Sequence, residues 1–164
     1  SMNNNLLLGI GTVGVILVAI FVLKESTQQG AIDHKNTEYV IGGTKVKLTD
    51  GVSGGTRYFG NEVIKDLNGD GREDVAFLLT QDNGGSGTFY YVVAALNTEK
   101  GYVGSEGFLL GDRIAPQTSE IRDGLLIVNY AERGPNEPMT ARPSFGKSAY
   151  LKLNTKTMKL EVVR

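Results

Sequence analysis

The longest apolar run in the chain, Leu6–Leu23 (LLLGIGTVGVILVAIFVL), which carries no charge, constrains it more than any other feature. It carries a single hydroxyl, Thr12. As a helix, a run of this length spans about 27 Å, close to the roughly 30 Å hydrocarbon layer of a bilayer. Apolar side chains would surround that helix rather than form a stripe, which suits a membrane segment and not an amphipathic core helix. A cleavable signal peptide would want a basic leading region and a small-x-small cleavage site. Here Ser1, Met2 and three asparagines come first, and the run closes Ile20-Phe21-Val22-Leu23-Lys24. The expected organisation is a flank over 1–5, an uncleaved transmembrane anchor over 6–23, a polar tether over 24–37 and a folded domain over 38–164.

The same run contains Gly9-Ile10-Gly11-Thr12-Val13-Gly14, which matches the G-x-G-x-x-G of dinucleotide-binding folds. That motif has meaning only between a strand and a helix, with further βα units after it. No such alternation follows, and glycines are common in membrane helices. Lys24 is the only side-chain cation near either end, so charge gives almost no orientation, with a slight lean toward an internal C-terminus. An extracytoplasmic domain is nevertheless expected, because the metal motif described below suits extracellular calcium levels.

With 164 residues, the chain has room for one domain. Seventeen basic and 18 acidic residues leave a net charge of -1, without the basic excess of a nucleic-acid binder. Cysteine is absent, which removes disulfides, thiolate zinc sites and thiol nucleophiles. A lone histidine, His34, falls in the tether and cannot build a histidine zinc site or serve a Ser-His-Asp arrangement within the fold.

Beyond the tether the signals are those of strands. Tyr39-Val40-Ile41, Gly42-Gly43 and Thr44–Leu48 read as a hairpin with a two-residue primed turn. Thr56–Phe59 is a short strand or bridge. Val75–Gln81 and Thr88–Leu96 are rich in branched and aromatic residues. Tyr102–Leu110, Leu125–Ala131, Ala149–Leu153 and Met158–Val163 complete the set, punctuated by Gly101, Gly111, Gly124 and Asn154. No segment after the anchor sustains a helical period. The expected fold class is all-β, an antiparallel sandwich or partly open barrel. Gly111–Asp123 and Glu132–Gly146 read as long irregular loops, whose Arg113, Arg122, Arg133 and Arg142 are expected to be solvated or paired with local carboxylates. Of Tyr90, Tyr91, Tyr102 and Tyr130, strand alternation should send every second one into the core rather than to a binding face.

One stretch carries chemistry. Asp66-Leu67-Asn68-Gly69-Asp70-Gly71-Arg72-Glu73-Asp74 sets oxygen side chains at loop positions 1, 3, 5 and 9, with glycine at position 6. Calcium takes six to eight hard oxygen ligands. Asp66, Asn68 and Asp70 can point inward from a tightly wound loop, the Arg72 carbonyl can add a fourth oxygen, and Asp74 a direct or water-mediated one. Three carboxylates so close would repel one another without a cation. A plain turn accounts for Asn68-Gly69 or Asp70-Gly71, but not for Asp66 and Asp74 at these offsets. The loop is not an EF-hand: its twelfth position is Phe77, and its flanks are strand-like.

DLNGDGREDVAFL resembles the calcium loop of FG-GAP and VCBS-type repeats, and Phe59-Gly60 upstream adds to the likeness. The resemblance implies a structural metal site of the kind found in extracellular β-propellers and adhesion-type proteins. It covers about fifteen residues and a single repeat, so it implies the loop and not the propeller. More widely, TRYFGNEVIKDLNGDGREDVAFLLTQ, GGSGTFYYVVAALN and GDRIAPQ are similar to small uncharacterised bacterial membrane-anchored proteins, a likeness that brings no activity with it.

Catalysis has little support. Glu106, Glu120, Glu132 and Glu137 could meet as a carboxylate pair, but nothing in their spacing marks one. Gly84–Gly87 lacks the Lys-Ser/Thr ending and following helix of a phosphate cradle. The expectation is a cell-membrane, single-pass protein with an extracytoplasmic β domain stiffened by Ca2+, binding a protein or glycan and no nucleic acid. The alternatives are an accessory subunit of an envelope assembly and a carboxylate-dependent hydrolase.

Overall fold

The computed structural model describes residues 33–164; the expected flank, the anchor Leu6–Leu23 and most of the tether lie outside the described residues. Twelve strands follow a 3-10 turn at His34–Asn36: β1 (Glu38–Ile41), β2 (Thr44–Lys47), β3 (Val52–Ser53), β4 (Thr56–Lys65), β5 (Asp74–Gln81), β6 (Phe89–Thr98), β7 (Gly101–Gly104), β8 (Phe108–Asp112), β9 (Ala115–Arg122), β10 (Leu125–Glu132), β11 (Phe145–Asn154) and β12 (Lys159–Val162). Among the described residues no helix is long and apolar enough to cross a membrane. The domain is all-β, and its antiparallel sheets do not close into a barrel.

The β1–β2 hairpin turns at Gly42 and Gly43 with φ of 58° and 80°, the paired left-handed conformation of a primed turn. A six-stranded sheet runs β3-β4-β5-β6-β7, with β8 sharing with β7 the same long neighbour, β6; a second sheet runs β12-β11-β10-β9. Strands β5 and β6 lie at the centre and are buried on both faces. Ala76, Leu78, Val92 and Ala94 face Leu126, Val128, Leu151 and Leu160 of the second sheet. Val75, Phe77, Leu79, Val93 and Ala95 pack on the other side against Tyr39, Ile41 and Leu48 of the hairpin segment. Double burial explains why both strands read as nearly continuous apolar runs and not as the alternation of a half-buried strand.

Several boundaries differ from those expected. Thr56–Phe59 is the first part of a ten-residue strand that continues to Lys65. Its register shifts at Gly60 and again before Val63, with Gly60 at φ 128° and Asn61 at φ 51°. These bulges broke the periodicity, and they turn the Asn61 amide toward the Gln117 carbonyl of β9 at 3.2 Å, joining the two sheets along one side. Tyr102–Leu110 is two strands, because β1 crosses the gap between them: the Val40 N–H donates to the Ser105 carbonyl and the Gly107 N–H to the Val40 carbonyl. A Cβ at Gly104 would collide with the Glu38 carbonyl oxygen. Gly111–Asp123 is not an irregular loop; most of it is β9, an edge strand whose polar side chains are largely exposed. Pro116 sits in β9 opposite Tyr130, where the β9–β10 register shifts, a position that tolerates a residue without an N–H. Of the tyrosines, Tyr91 and Tyr130 are buried and Tyr90 and Tyr102 half-buried.

Phe77 is one of the largest fully buried side chains and meets the rings of His34, Tyr39 and Tyr58. Phe77→Ala should therefore cost about 3–5 kcal/mol in chemical denaturation of the detergent-solubilised chain. A loss below about 1 kcal/mol would mean that this layer of the core is not packed as described.

Candidate functional site

The loop between β4 and β5 winds tightly because Gly69 and Gly71 adopt φ of 77° and 83°, which side chains rarely tolerate. Backbone N–H groups converge on Asp66: Oδ1 accepts from Asn68 (3.2 Å) and Gly69 (2.7 Å), and Oδ2 accepts from Gly71 (2.8 Å). The Gly71 bond is the largest effect; with those from Gly69 and Asn68 it holds the Asp66 carboxyl below the usual aspartate range, against desolvation, which is the second-largest effect and acts the other way. The pattern steps on through the loop. Asn68 Oδ1 accepts from the Asp70 N–H at 3.2 Å, and Asp70 Oδ1 from the Arg72 N–H at 2.8 Å. The Asn68 amide also approaches Asp70 Oδ2 at 3.4 Å. Arg72 bridges outward, to Asp70 at 3.8 Å and to Glu99 at 3.2 Å.

Asp74 is differently placed. It is fully buried, and its two oxygens accept the Leu67 N–H at 2.7 Å and the Asn97 N–H at 2.9 Å. The carboxylate thus pins the start of the loop to the end of β6. The loop brings Asp66, Asn68 and Asp70 together at the surface, with Asp74 rooting it in the domain; among the described residues no three His, Asp or Glu side chains converge as a group that could hold a metal. The repulsion expected between the carboxylates is met in part by backbone N–H donors. Each carboxylate has about four acceptor directions, and only those toward the loop backbone are occupied in this way.

Beside the loop lies a cleft of about 170 Å³ lined by His34, Glu62, Ile64, Glu73, Asp74, Val75, Asn97 and Tyr102. His34 belongs to the end of the expected tether, yet Asp33–Thr37 folds onto the domain. Asp33 caps the turn by accepting the Lys35 N–H, and the Leu48 N–H donates to the Thr37 carbonyl. His34 Nε2 lies 2.7 Å from a Glu62 oxygen that also accepts the Tyr58 hydroxyl at 2.7 Å. Burial, reinforced by the Glu62 hydrogen bond and charge, pushes the Tyr58 phenol up to about 12. Burial first, and then the charges of Asp74, Asp33, Glu62 and Glu73, raises Tyr102 as well. Among the described residues no serine, threonine or cysteine lines the cleft. The sequence assigns His34 to the tether because KESTQQGAIDHKNT has no periodicity, whereas the structure packs it against Glu62; the one local signal is Asp33 followed by Asn36, the spacing of a capped turn.

The remaining candidates resolve locally. Arg113 pairs with Asp112 at 2.8 Å and Arg122 with Glu120 at 3.0 Å, while Arg133 donates to the Ala141 and Arg113 carbonyls. Glu106 pairs with Lys159, Glu132 with Lys147, and Glu137 accepts the Gly134 N–H. None of the four glutamates considered for hydrolysis lines the cleft. A wider groove of about 410 Å³, between β8 and the β11–β12 hairpin, has Lys147 as its only charged wall among the described residues. No family model, curated protein or solved structure matches this chain.

Two measurements check this geometry. Asp74→Asn replaces an acceptor with an amide that faces a buried N–H, and should lower stability by about 1–3 kcal/mol in EDTA; a neutral effect would show that Asp74 does not root the loop. The depressed Asp66 carboxyl contributes stability that is present above its unfolded-state pKa and lost as pH falls through its folded value. An NMR titration should place the Asp66 midpoint below 3.8; a midpoint at or above that value contradicts the hydrogen-bond pattern.

Proposed function

We propose that the chain is a membrane-anchored, extracytoplasmic β module, acting as a surface interaction or structural element and not as an enzyme, with the Asp66–Asp74 loop as a structural calcium site. The observation that carries the reading is the run of hard-oxygen side chains at Asp66, Asn68 and Asp70 on one glycine-wound loop. The donor types fit calcium, which takes carboxylate, amide and backbone oxygens in flexible geometry. Asp66, Asn68, Asp70 and the Arg72 carbonyl would hold the ion, with Asp74 contributing from beneath, directly or through water. The ion would supply a cross-link and no chemistry. Because Asp74 ties this loop to β6, holding its outer end closed would favour the pairing of the two central strands. The anchor half of the reading rests on the uncharged run Leu6–Leu23.

Thermal unfolding tests the calcium site. With an affinity on the order of 10⁻⁴ M and about 1 mM calcium, mass action adds roughly 1.4 kcal/mol, a few degrees in Tm. Magnesium should add less, because it keeps its water and demands tight octahedral geometry. Asp70→Ala should lose more stability in calcium than in EDTA, where it forfeits only its side-chain contacts with Arg72 and Asn68. A Tm indifferent to calcium, with an equal loss for Asp70→Ala in both conditions, leaves a plain turn. For the anchor, carbonate-washed membranes should retain the full chain and protease added to intact cells should remove the domain; release, or full protection, contradicts the respective half of the reading.

A further inference from the structure

The chain contains two Asn-Gly pairs, Asn68-Gly69 and Asn83-Gly84, one in a loop at each end of β5. Asn-Gly is the dipeptide most prone to spontaneous deamidation, because glycine leaves its backbone nitrogen unobstructed. In that reaction the glycine nitrogen gives its proton to solvent and attacks the asparagine Cγ. The new N–Cγ bond closes a succinimide as the Cγ–Nδ2 bond breaks, and the amide leaves as ammonia with a proton taken up from water. One water molecule then opens the ring to aspartate or isoaspartate. The nitrogen and the side-chain carbon must reach each other, so each restraint on either partner slows the reaction.

The two sites differ in how far these partners are restrained. At Asn68 both partners are held: the Gly69 N–H donates to Asp66 Oδ1 at 2.7 Å, while Asn68 Oδ1 accepts from the Asp70 N–H and its amide approaches Asp70 Oδ2. At Asn83 only the nitrogen is held, by Asp82 Oδ1 at 2.8 Å from the Gly84 N–H. The Asn83 side chain is exposed and makes no hydrogen bond to another described residue. Its loop contains Gly84, Gly85 and Gly87, and a Cβ at either of the first two would meet nothing within 4 Å, so the backbone has room to rearrange.

We propose that Asn83-Gly84 is the site at which the folded chain deamidates, and that Asn68-Gly69 is protected by a double restraint that position 83 lacks: Asp66 holds the Gly69 nitrogen while the Asp70 contacts hold the Asn68 side chain. The product at position 83 is a carboxylate beside Asp82 at the tip of the β5–β6 connection, opposite the 66–74 loop. This protection is independent of the calcium reading, because the hydrogen bonds belong to the loop itself.

The test is peptide-mapping mass spectrometry of the full chain in detergent, incubated at mildly alkaline pH in EDTA so that calcium has no part in the result. Native protein should deamidate at position 83 several-fold faster than at position 68. In denaturant the two rates should converge, since both sites share the same dipeptide. Asp66→Ala should raise the rate at position 68 toward its denatured value while leaving position 83 unchanged. If that variant loses its fold, position 83 will accelerate too, and Asp66→Asn, which keeps one acceptor oxygen, then serves: it should leave position 68 slower than in denaturant. Deamidation at position 68 as fast as at 83 in the native protein overturns the proposal. So does a ratio unchanged by denaturant, or a position 68 rate unmoved by Asp66→Ala in a folded variant.

Discussion

The ladder between β5 and β6 is covered by apolar side chains on both faces, and the other elements are arranged around that fact. A doubly buried pair of strands needs two covers. The second sheet supplies one through Leu126, Val128, Leu151 and Leu160, and the β1–β2 hairpin segment supplies the other through Tyr39, Ile41 and Leu48. Each cover then imposes its own local cost. The hairpin must cross the edge of the large sheet, so Tyr102–Leu110 is interrupted, and buried Ser105 takes over there, its Oγ accepting the Ala94 N–H at 2.8 Å. The second sheet meets the first along β4 and β9, where Asn61 bonds the Gln117 carbonyl.

The 66–74 loop inherits its position from the same ladder. Asp74 is at once the last residue of the loop motif and the first of β5, and it is fully buried beside the end of β6. A buried carboxylate is tolerated only with good hydrogen-bond partners, and two backbone N–H groups supply them. Farther out, Asp66, Asn68 and Asp70 each accept bonds from the loop backbone. The oxygen spacing that resembles a calcium loop is therefore also the spacing that lets this backbone close on itself. Both readings predict Asp and Asn at these offsets, and they part only over what lies on the outward side.

What could be read in advance followed burial. The primed hairpin and the apolar strands β5 and β6 were legible because Gly42-Gly43 and the unbroken hydrophobic runs have one good structural solution each. Strand β9 was not: Gln117, Thr118, Ser119 and Glu120 lie on an edge with little to bury, and Pro116 argues against a strand unless a register shift is there to receive it. The extension of β4 to Lys65 was hidden by its two bulges. His34 was hidden for another reason. Its contacts with Glu62, Tyr58 and Phe77 join segments far apart in the chain, and no local pattern announces such a meeting.

On the proposed reading, the 66–74 loop takes up calcium at its outer end while Asp74 roots it in the domain. The most direct measurement is an amide NMR titration of the chain with calcium. Calcium should shift Gly69 and Gly71, around the oxygen donors, together with Leu67 and Asn97, the two residues whose N–H groups bond Asp74. Spectra unchanged at these four amides up to millimolar calcium would contradict this reading.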